Sequence, residues 1–195
     1  MSSFEEKGYH VIKEFLLPTE VSRVSRYFEN AINRRFCDEK GFNQDLTSTF
    51  FCYADPLIEL FLEDKADSIG KTVGRSLYPT YSYMRVYMDK DELKAHTDRP
   101  ECEYSVTVHV AKVGEDWPIG IKDIDGNDNA IVLNAGDALV YRGCDLLHWR
   151  KPMNETKTKL NAQFMLHYVD KTGPYSICKW DGRPKLGLSS TSKVR

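Results

Sequence analysis

Asn134-Ala135-Gly136-Asp137-Ala138-Leu139-Val140-Tyr141-Arg142-Gly143, continuing through Cys144-Asp145-Leu146-Leu147 to His148-Trp149-Arg150, reads as a turn, a strand and a histidine-bearing second strand. Asn, Gly and Asp at its start are turn formers, and Ala138 to Tyr141 and Leu147 to Arg150 are short runs of strand-favouring residues. Upstream, Lys94-Ala95-His96-Thr97-Asp98-Arg99-Pro100 holds an HxD pair. On an extended backbone the side chains of His96 and Asp98 share a face and Thr97 points away. His148 lies 52 residues after His96 and could join them only if its strand folds back. Two imidazoles and a carboxylate form the ligand set of a facial iron(II) site, which leaves coordination positions open. The same letters have a plainer reading, since HxD pairs arise by chance and a single histidine is commonly a core or surface residue.

Working outward, the second half of the chain is rich in short β segments. Tyr81 to Met88, Tyr104 to Val110, Ile119 to Ile124, Ala130 to Leu133 and Leu160 to Val169 join the two strands above. Asp125-Gly126-Asn127 is a strong hairpin turn between two of them. Closely spaced strands and turns predict a sandwich or barrel. The first half differs. Gly8 to Leu16 reads as a strand, and Pro18-Thr19-Glu20 opens a helix with Val21, Val24, Phe28, Ala31 and Ile32 at helical spacing. A second helix is predicted over Pro56 to Val73, burying Leu57, Leu60, Phe61, Ala66, Ile69 and Val73. Phe36 to Thr49 reads as a polar loop, and residues 185–195 as a disordered tail. The fold class is therefore mainly β with flanking helices packed on one sheet, in a single domain over residues 1–184.

Composition narrows the functional classes. The 195 residues are 41% hydrophobic and 29% charged, with 27 basic against 29 acidic side chains and a formal net charge of −2. That balance gives no large electrostatic footprint for nucleic acid. Five scattered cysteines without a CxxC pair support neither a zinc ribbon nor a disulfide framework, and reduced thiols in the cytoplasm are expected. No apolar run is long enough to span a membrane, and residues 1–7 lack the core of a signal peptide.

The order of tyrosine-bearing strand, HxD, Ala-Gly-Asp turn, distal histidine and closing strand resembles the 2-oxoglutarate/iron(II) oxygenase superfamily, and within it the prolyl-hydroxylase-like branch. The resemblance covers most of residues 8–170. It implies a double-stranded β-helix, a jelly-roll variant close to the cupins, with iron held by His96, Asp98 and His148. It also implies 2-oxoglutarate as cosubstrate, dioxygen as oxidant, ascorbate as a compatible reductant, and release of succinate and carbon dioxide. Retention of Asp98 favours hydroxylation over halogenation, since related halogenases carry a small residue there.

The far carboxylate of 2-oxoglutarate needs a buried cation, and arginine grips a carboxylate best. By the family register the cation's place on the closing strand falls at Asn161, a departure from the pattern. Alternation along the strand offers Arg150, two residues after His148, with Lys159 as second choice. The plainer reading of Arg150 is a rim residue stacked on a neighbour. Tyr87, nine residues before His96, matches a tyrosine that hydrogen-bonds the cosubstrate. Arg85 shares its face and is a candidate for a cosubstrate or substrate carboxylate, although Tyr83, Arg85 and Tyr87 also read as a packing stripe. Thr107 and His109 are candidates to line the pocket, His167 to line its mouth, and Arg99 to Cys102 to touch substrate. The expected substrate is an amino acid, a peptidyl residue or a small metabolite. A non-catalytic cupin-like barrel that binds a small molecule or partner is the alternative. Oligomeric state is not legible.

Overall fold

The chain runs α1 (Ser3–Lys7), β1 (Tyr9–Ile12), α2 (Pro18–Arg34), β2 (Phe50–Tyr53), α3 (Pro56–Asp64), α4 (Ala66–Val73), β3 (Leu77–Met88) and β4 (Leu93–His96). It continues through β5 (Tyr104–Gly114), β6 (Ile119–Lys122), β7 (Asp128–Ile131), β8 (Ala138–Arg142), β9 (His148–Arg150) and β10 (Thr158–Asp170), with 3₁₀ turns at Pro100–Cys102 and Ser176–Gly182. The computed structural model describes residues 3–34, 50–88, 90–154 and 157–187. The Phe36 to Thr49 loop and residues 188–195 of the expected tail lie outside the described residues.

Alternation along the long strands sets the architecture. β5 puts Val106, Val108 and Val110, and β10 puts Ala162, Phe164, Leu166 and Tyr168, into one large core. Because successive side chains point to opposite faces, Ser105, Thr107 and His109 of β5, and Asn161, Gln163 and His167 of β10, face the other way. β3 does the same, with Met84 and Val86 in the core and Tyr83, Arg85 and Tyr87 opposite. These strands belong to a six-stranded antiparallel sheet of order β1-β8-β5-β10-β3-β2. Its outer, apolar face is covered by Val24, Phe28 and Ala31 of α2, Ile58 and Leu62 of α3, and Ile69 and Val73 of α4. A four-stranded sheet of order β4-β9-β6-β7 supplies the second layer. Between the layers Ile119, Ile121, Leu139, Tyr141 and Leu146 form a smaller core. Two facing antiparallel sheets with helices on one of them make the double-stranded β-helix. The far end of the space between the sheets is polar.

Three expectations need correction. The strand predicted from Gly8 to Leu16 is β1 alone, preceded by a helical turn. Asp137 ends it: its carboxylate accepts from Lys13 Nζ at 2.7 Å and from the Glu14 amide at 3.2 Å, and Phe15 and Leu16 turn into the helical core. The helix predicted from Pro56 to Val73 is two helices meeting at Lys65, whose amide closes α3 on the Phe61 carbonyl at 3.0 Å. The turn lets two separate stripes, Ile58 with Leu62 and Ile69 with Val73, both reach the sheet. Leu60, on the opposite side of α3, is 57% exposed rather than buried. β2 was not expected at all; Phe50 and Cys52 pack on the core face while Phe51 and Tyr53 stack on Tyr83 and Tyr81. The Asp125-Gly126-Asn127 turn does join β6 to β7, with Gly126 at φ +85°. No described helix is long and apolar enough to cross a membrane.

Candidate active site

Sheet register brings the sequence-distant histidines together. β4 pairs antiparallel with β9 so that His96 is the cross-strand partner of His148, with ring centroids 4.3 Å apart. The Asp98 amide donates to the Gly143 carbonyl at 2.8 Å and the Gly143 amide to the Glu103 carbonyl at 3.0 Å, which holds the segment after β4 against the end of β8. Gly143 is needed there. A Cβ on it would stand 2.6 Å from Asp98 Oδ2 and 2.7 Å from Ser105 Oγ. His96 Nε2 and His148 Nε2 then face the same carboxylate oxygen, Asp98 Oδ1, at 3.5 and 3.6 Å. Metal-ligating atoms of the three residues all lie within 4.8 Å of one another.

Second partners decide which atoms are free. His96 Nδ1 is 2.8 Å from the Lys94 carbonyl and His148 Nδ1 is 3.0 Å from the Leu146 carbonyl. A carbonyl only accepts, so both Nδ1 atoms carry the proton and neutral rings offer Nε2 lone pairs. Lone pairs facing a carboxylate oxygen repel unless a cation stands between them, a geometry that fits a metal ion. A proton can take the cation's place on either ring. Hydrogen bonding to Asp98 raises the basicity of His96, and burial of Asp98 is overcome by the His148 and His96 contacts, which hold its carboxyl well below the usual range. Asp98, Cys102 and His167 also approach one another closely enough to share an ion, but burial pushes the Cys102 thiol far up and so disfavours its thiolate.

Sequence reasoning missed Ser105, which orients this cluster, and placed His167 at the mouth where the structure buries it. Ser105 Oγ donates to Asp98 Oδ2 at 2.7 Å, turning Oδ1 towards the imidazoles. Its proton being used, it accepts from His167 Nδ1 at 2.9 Å. Burial holds the His167 ring neutral, with its pKa lowered to about 4. The Tyr141 hydroxyl lies 3.5 Å from His148 Nε2. Ser105 shares the face of Thr107, and that alternation was the available signal.

Farther along the same space, Arg150 is 3% exposed and pairs with no carboxylate among the described residues. It donates to the Trp117 carbonyl and, at 2.8 Å, to Gln163 Oε1, stacks at 4.8 Å on the Trp117 ring, and has an Nε without a hydrogen-bond partner. Burial lowers its pKa to about 10. Asn161 is buried with Oδ1 unpartnered. Tyr87, 1% exposed, meets the edge of Trp117 at 5.0 Å. Arg85 is half-buried over the Tyr87 ring at 4.5 Å. Lys159 is exposed. His109 is buried, its pKa lowered to about 4 by burial and by the Arg150 charge.

Solved structures show the same arrangement of sheets. A prolyl-4-hydroxylase from Pseudomonas putida superposes with a TM-score of 0.68 at 11% identity, over 86% of this chain and 95% of that one. The fold is that of the 2-oxoglutarate/iron(II) oxygenases. HygX from Streptomyces hygroscopicus, solved with nickel and 2-oxoglutarate bound, has this oxygenase fold with a TM-score of 0.68 at 12% identity, over 87% of this chain and 85% of that one. The non-heme alpha-ketoglutarate-dependent epimerase SnoN from nogalamycin biosynthesis matches with a TM-score of 0.71 at 13% identity, over 95% and 86%. No protein-family model matches the sequence, and no curated protein does.

Proposed function

We propose that this chain is an iron(II)- and 2-oxoglutarate-dependent dioxygenase that hydroxylates a C–H bond of an amino acid, a peptidyl residue or a small metabolite. One arrangement carries the reading: two Nε2 lone pairs converge on one carboxylate oxygen, and a buried arginine with no counter-ion among the described residues lies two residues along the same strand. His96, Asp98 and His148 would hold the metal through Nε2, Oδ1 and Nε2. Arg150 would take the far carboxylate of 2-oxoglutarate in preference to the exposed Lys159, with Tyr87 and Asn161 beside it. The metal with its cosubstrate supplies the oxidation, consuming dioxygen and releasing succinate and carbon dioxide.

The protein's own part is placement. Backbone carbonyls fix the imidazole tautomers, and Ser105 limits Asp98 to one free oxygen. Gln163 and the Trp117 carbonyl hold the Arg150 fork. Ile119, Ile121, Leu139 and Leu146 keep water from the far side. Hydroxylation is the favoured outcome because Asp98 occupies the position that a halide would need; the similarity to SnoN makes epimerisation the nearest competing outcome. Anaerobic addition of Fe(II) and 2-oxoglutarate tests the reading. A weak visible charge-transfer band that is absent in His96→Ala supports it. No band, with unchanged ligand-binding behaviour in His96→Ala, points to a non-catalytic binding barrel.

A further inference from the structure

Two arginines stand on this inner surface with no acidic partner among the described residues. Arg85 lies on β3 beside Gln163 of β10 and Phe51 of β2, its cross-strand partners. It pairs with no carboxylate among the described residues, and its Nε is buried without a hydrogen-bond partner. It stands on the inner face of β3, across from Gln163, the same side chain that accepts from Arg150. Arg99 offers a contrast: it follows Asp98 directly but is neutralised by Glu101 at 3.3 Å and Asp181 at 3.0 Å. Arg85 and Arg150 sit on either side of an aromatic pair, Arg85 over Tyr87 and Arg150 over Trp117. The two rings stand between the two guanidinium groups.

Charge balance separates their roles. Arg150 is enclosed and suits the far carboxylate of the cosubstrate. Arg85 is only half-buried, on β3 next to the edge strand β2. A partly desolvated guanidinium without an acid is costly unless an anion arrives to meet it. Two unpaired arginines and a divalent metal, against Asp98 and a doubly charged cosubstrate, leave an excess of one positive charge.

We infer that Arg85 is the anion-binding arm of the substrate pocket, and that the substrate therefore carries a carboxylate or phosphate group held against Tyr83, Arg85 and Phe51. The inference rests on the oxygenase reading for what the neighbouring site does, but anion capture at Arg85 can be observed without turnover. Protein carrying ¹⁵N-arginine and loaded with Zn(II) and 2-oxoglutarate is titrated with acetate, with inorganic phosphate and with acetamide as neutral control. The Arg85 Nε–Hε signal is assigned by its loss in Arg85→Gln. A saturable shift with acetate or phosphate but not acetamide supports the proposal, and the stronger of the two anions tells carboxylate from phosphate.

In a succinate-release screen, acids should outperform their amides. Arg85→Gln should raise the substrate KM about 10- to 100-fold while the 2-oxoglutarate KM stays within about twofold. Arg85→Lys should recover part of the loss. A signal that moves on addition of 2-oxoglutarate and not with the small anions overturns the assignment, making Arg85 a cosubstrate residue; no shift with any anion also overturns it. Failure of the oxygenase reading looks different: Zn(II) and 2-oxoglutarate leave the Arg150 signal unmoved, while the anion titration on metal-free protein still reports on Arg85.

Discussion

At Arg150 a single side chain carries most of the distinction between a binding barrel and an oxygenase. A 3%-exposed guanidinium held by two neutral acceptors is incomplete, because desolvation of its charge is offset only by a matching anion. Arg150→Gln should therefore weaken 2-oxoglutarate binding about 30- to 100-fold, the loss of a bidentate charge-assisted contact, with little fall in thermal stability. Calorimetric titration of the Zn(II)-loaded protein measures the first and a melting curve the second; equal affinity in the variant would remove Arg150 from the cosubstrate site. Ser105→Ala should release Asp98 Oδ2 and lower affinity for Co(II) about tenfold or more, as loss of an outer hydrogen bond to a metal ligand does. His109 adds a pH signature. Its folded pKa of about 4 lies below the ordinary value of 6.5, so the unfolded chain binds the proton first. Stability is complete above about pH 6.5 and falls as pH drops towards 4, by about 2–3 kcal/mol for this residue. Chemical denaturation across that range should show a shallower slope in His109→Gln.

Among the elements, the join between β8 and β9 matters most, because it positions both ends of the ligand set. Gly143 admits the Asp98 carboxylate and the Ser105 hydroxyl where a methyl group would stand. The same methyl group would meet the buried Cys102 carbonyl, so Gly143→Ala should displace Asp98, reduce Co(II) affinity at least about tenfold and lower the melting temperature as well. Absorbance titration of the Co(II) d–d bands would show it. Gly120 has a parallel role on β6: a side chain there would run into the Trp149 indole, which lies flat across it. β9 is only three residues long, so this contact and the β4 and β6 pairings are what keep His148 in register.

For the whole molecule, the two sheets divide the work. The six-stranded sheet is anchored by helices on its outer face and offers polar side chains on its inner one; the four-stranded sheet closes over them and brings His96, His148 and Arg150. The C-terminal segment is tied to this body by Arg183, which donates to Glu59 Oε1 at 2.6 Å in a pair that is 1% and 2% exposed, and to the Thr80 carbonyl at 2.8 Å. Arg183→Ala would leave Glu59 charged and buried without its partner, at a cost of about 3–5 kcal/mol. A fall in melting temperature of 5 °C or less would contradict that, given a cost of this size in a chain of about 195 residues. Asp181 in the same segment meets Arg99 and the Tyr53 hydroxyl, so loosening it should also free Arg99 beside the metal ligands.

Local chemistry alone determined a good part of this. Alternation in Tyr104 to Val110 and Leu160 to Val169, the Asp-Gly-Asn hairpin and the Ala-Gly-Asp turn specify short antiparallel strands whatever surrounds them, because pleat and turn preferences act over two to four residues. HxD on an extended backbone likewise puts two donors on one face. Helix breaks and strand ends were not legible: Lys65, at the end of α3, donates its Nζ to the Phe15 carbonyl at 3.2 Å, and Asp137 ends β1 from across the sheet. The partnership of His96 with His148 is a register between strands 52 residues apart, and the roles of Ser105, Gln163 and Arg85 depend on which neighbours that register supplies. Spacing can nominate a ligand, but an unpaired charge or a pinned tautomer exists only once the other side of the site has been folded against it.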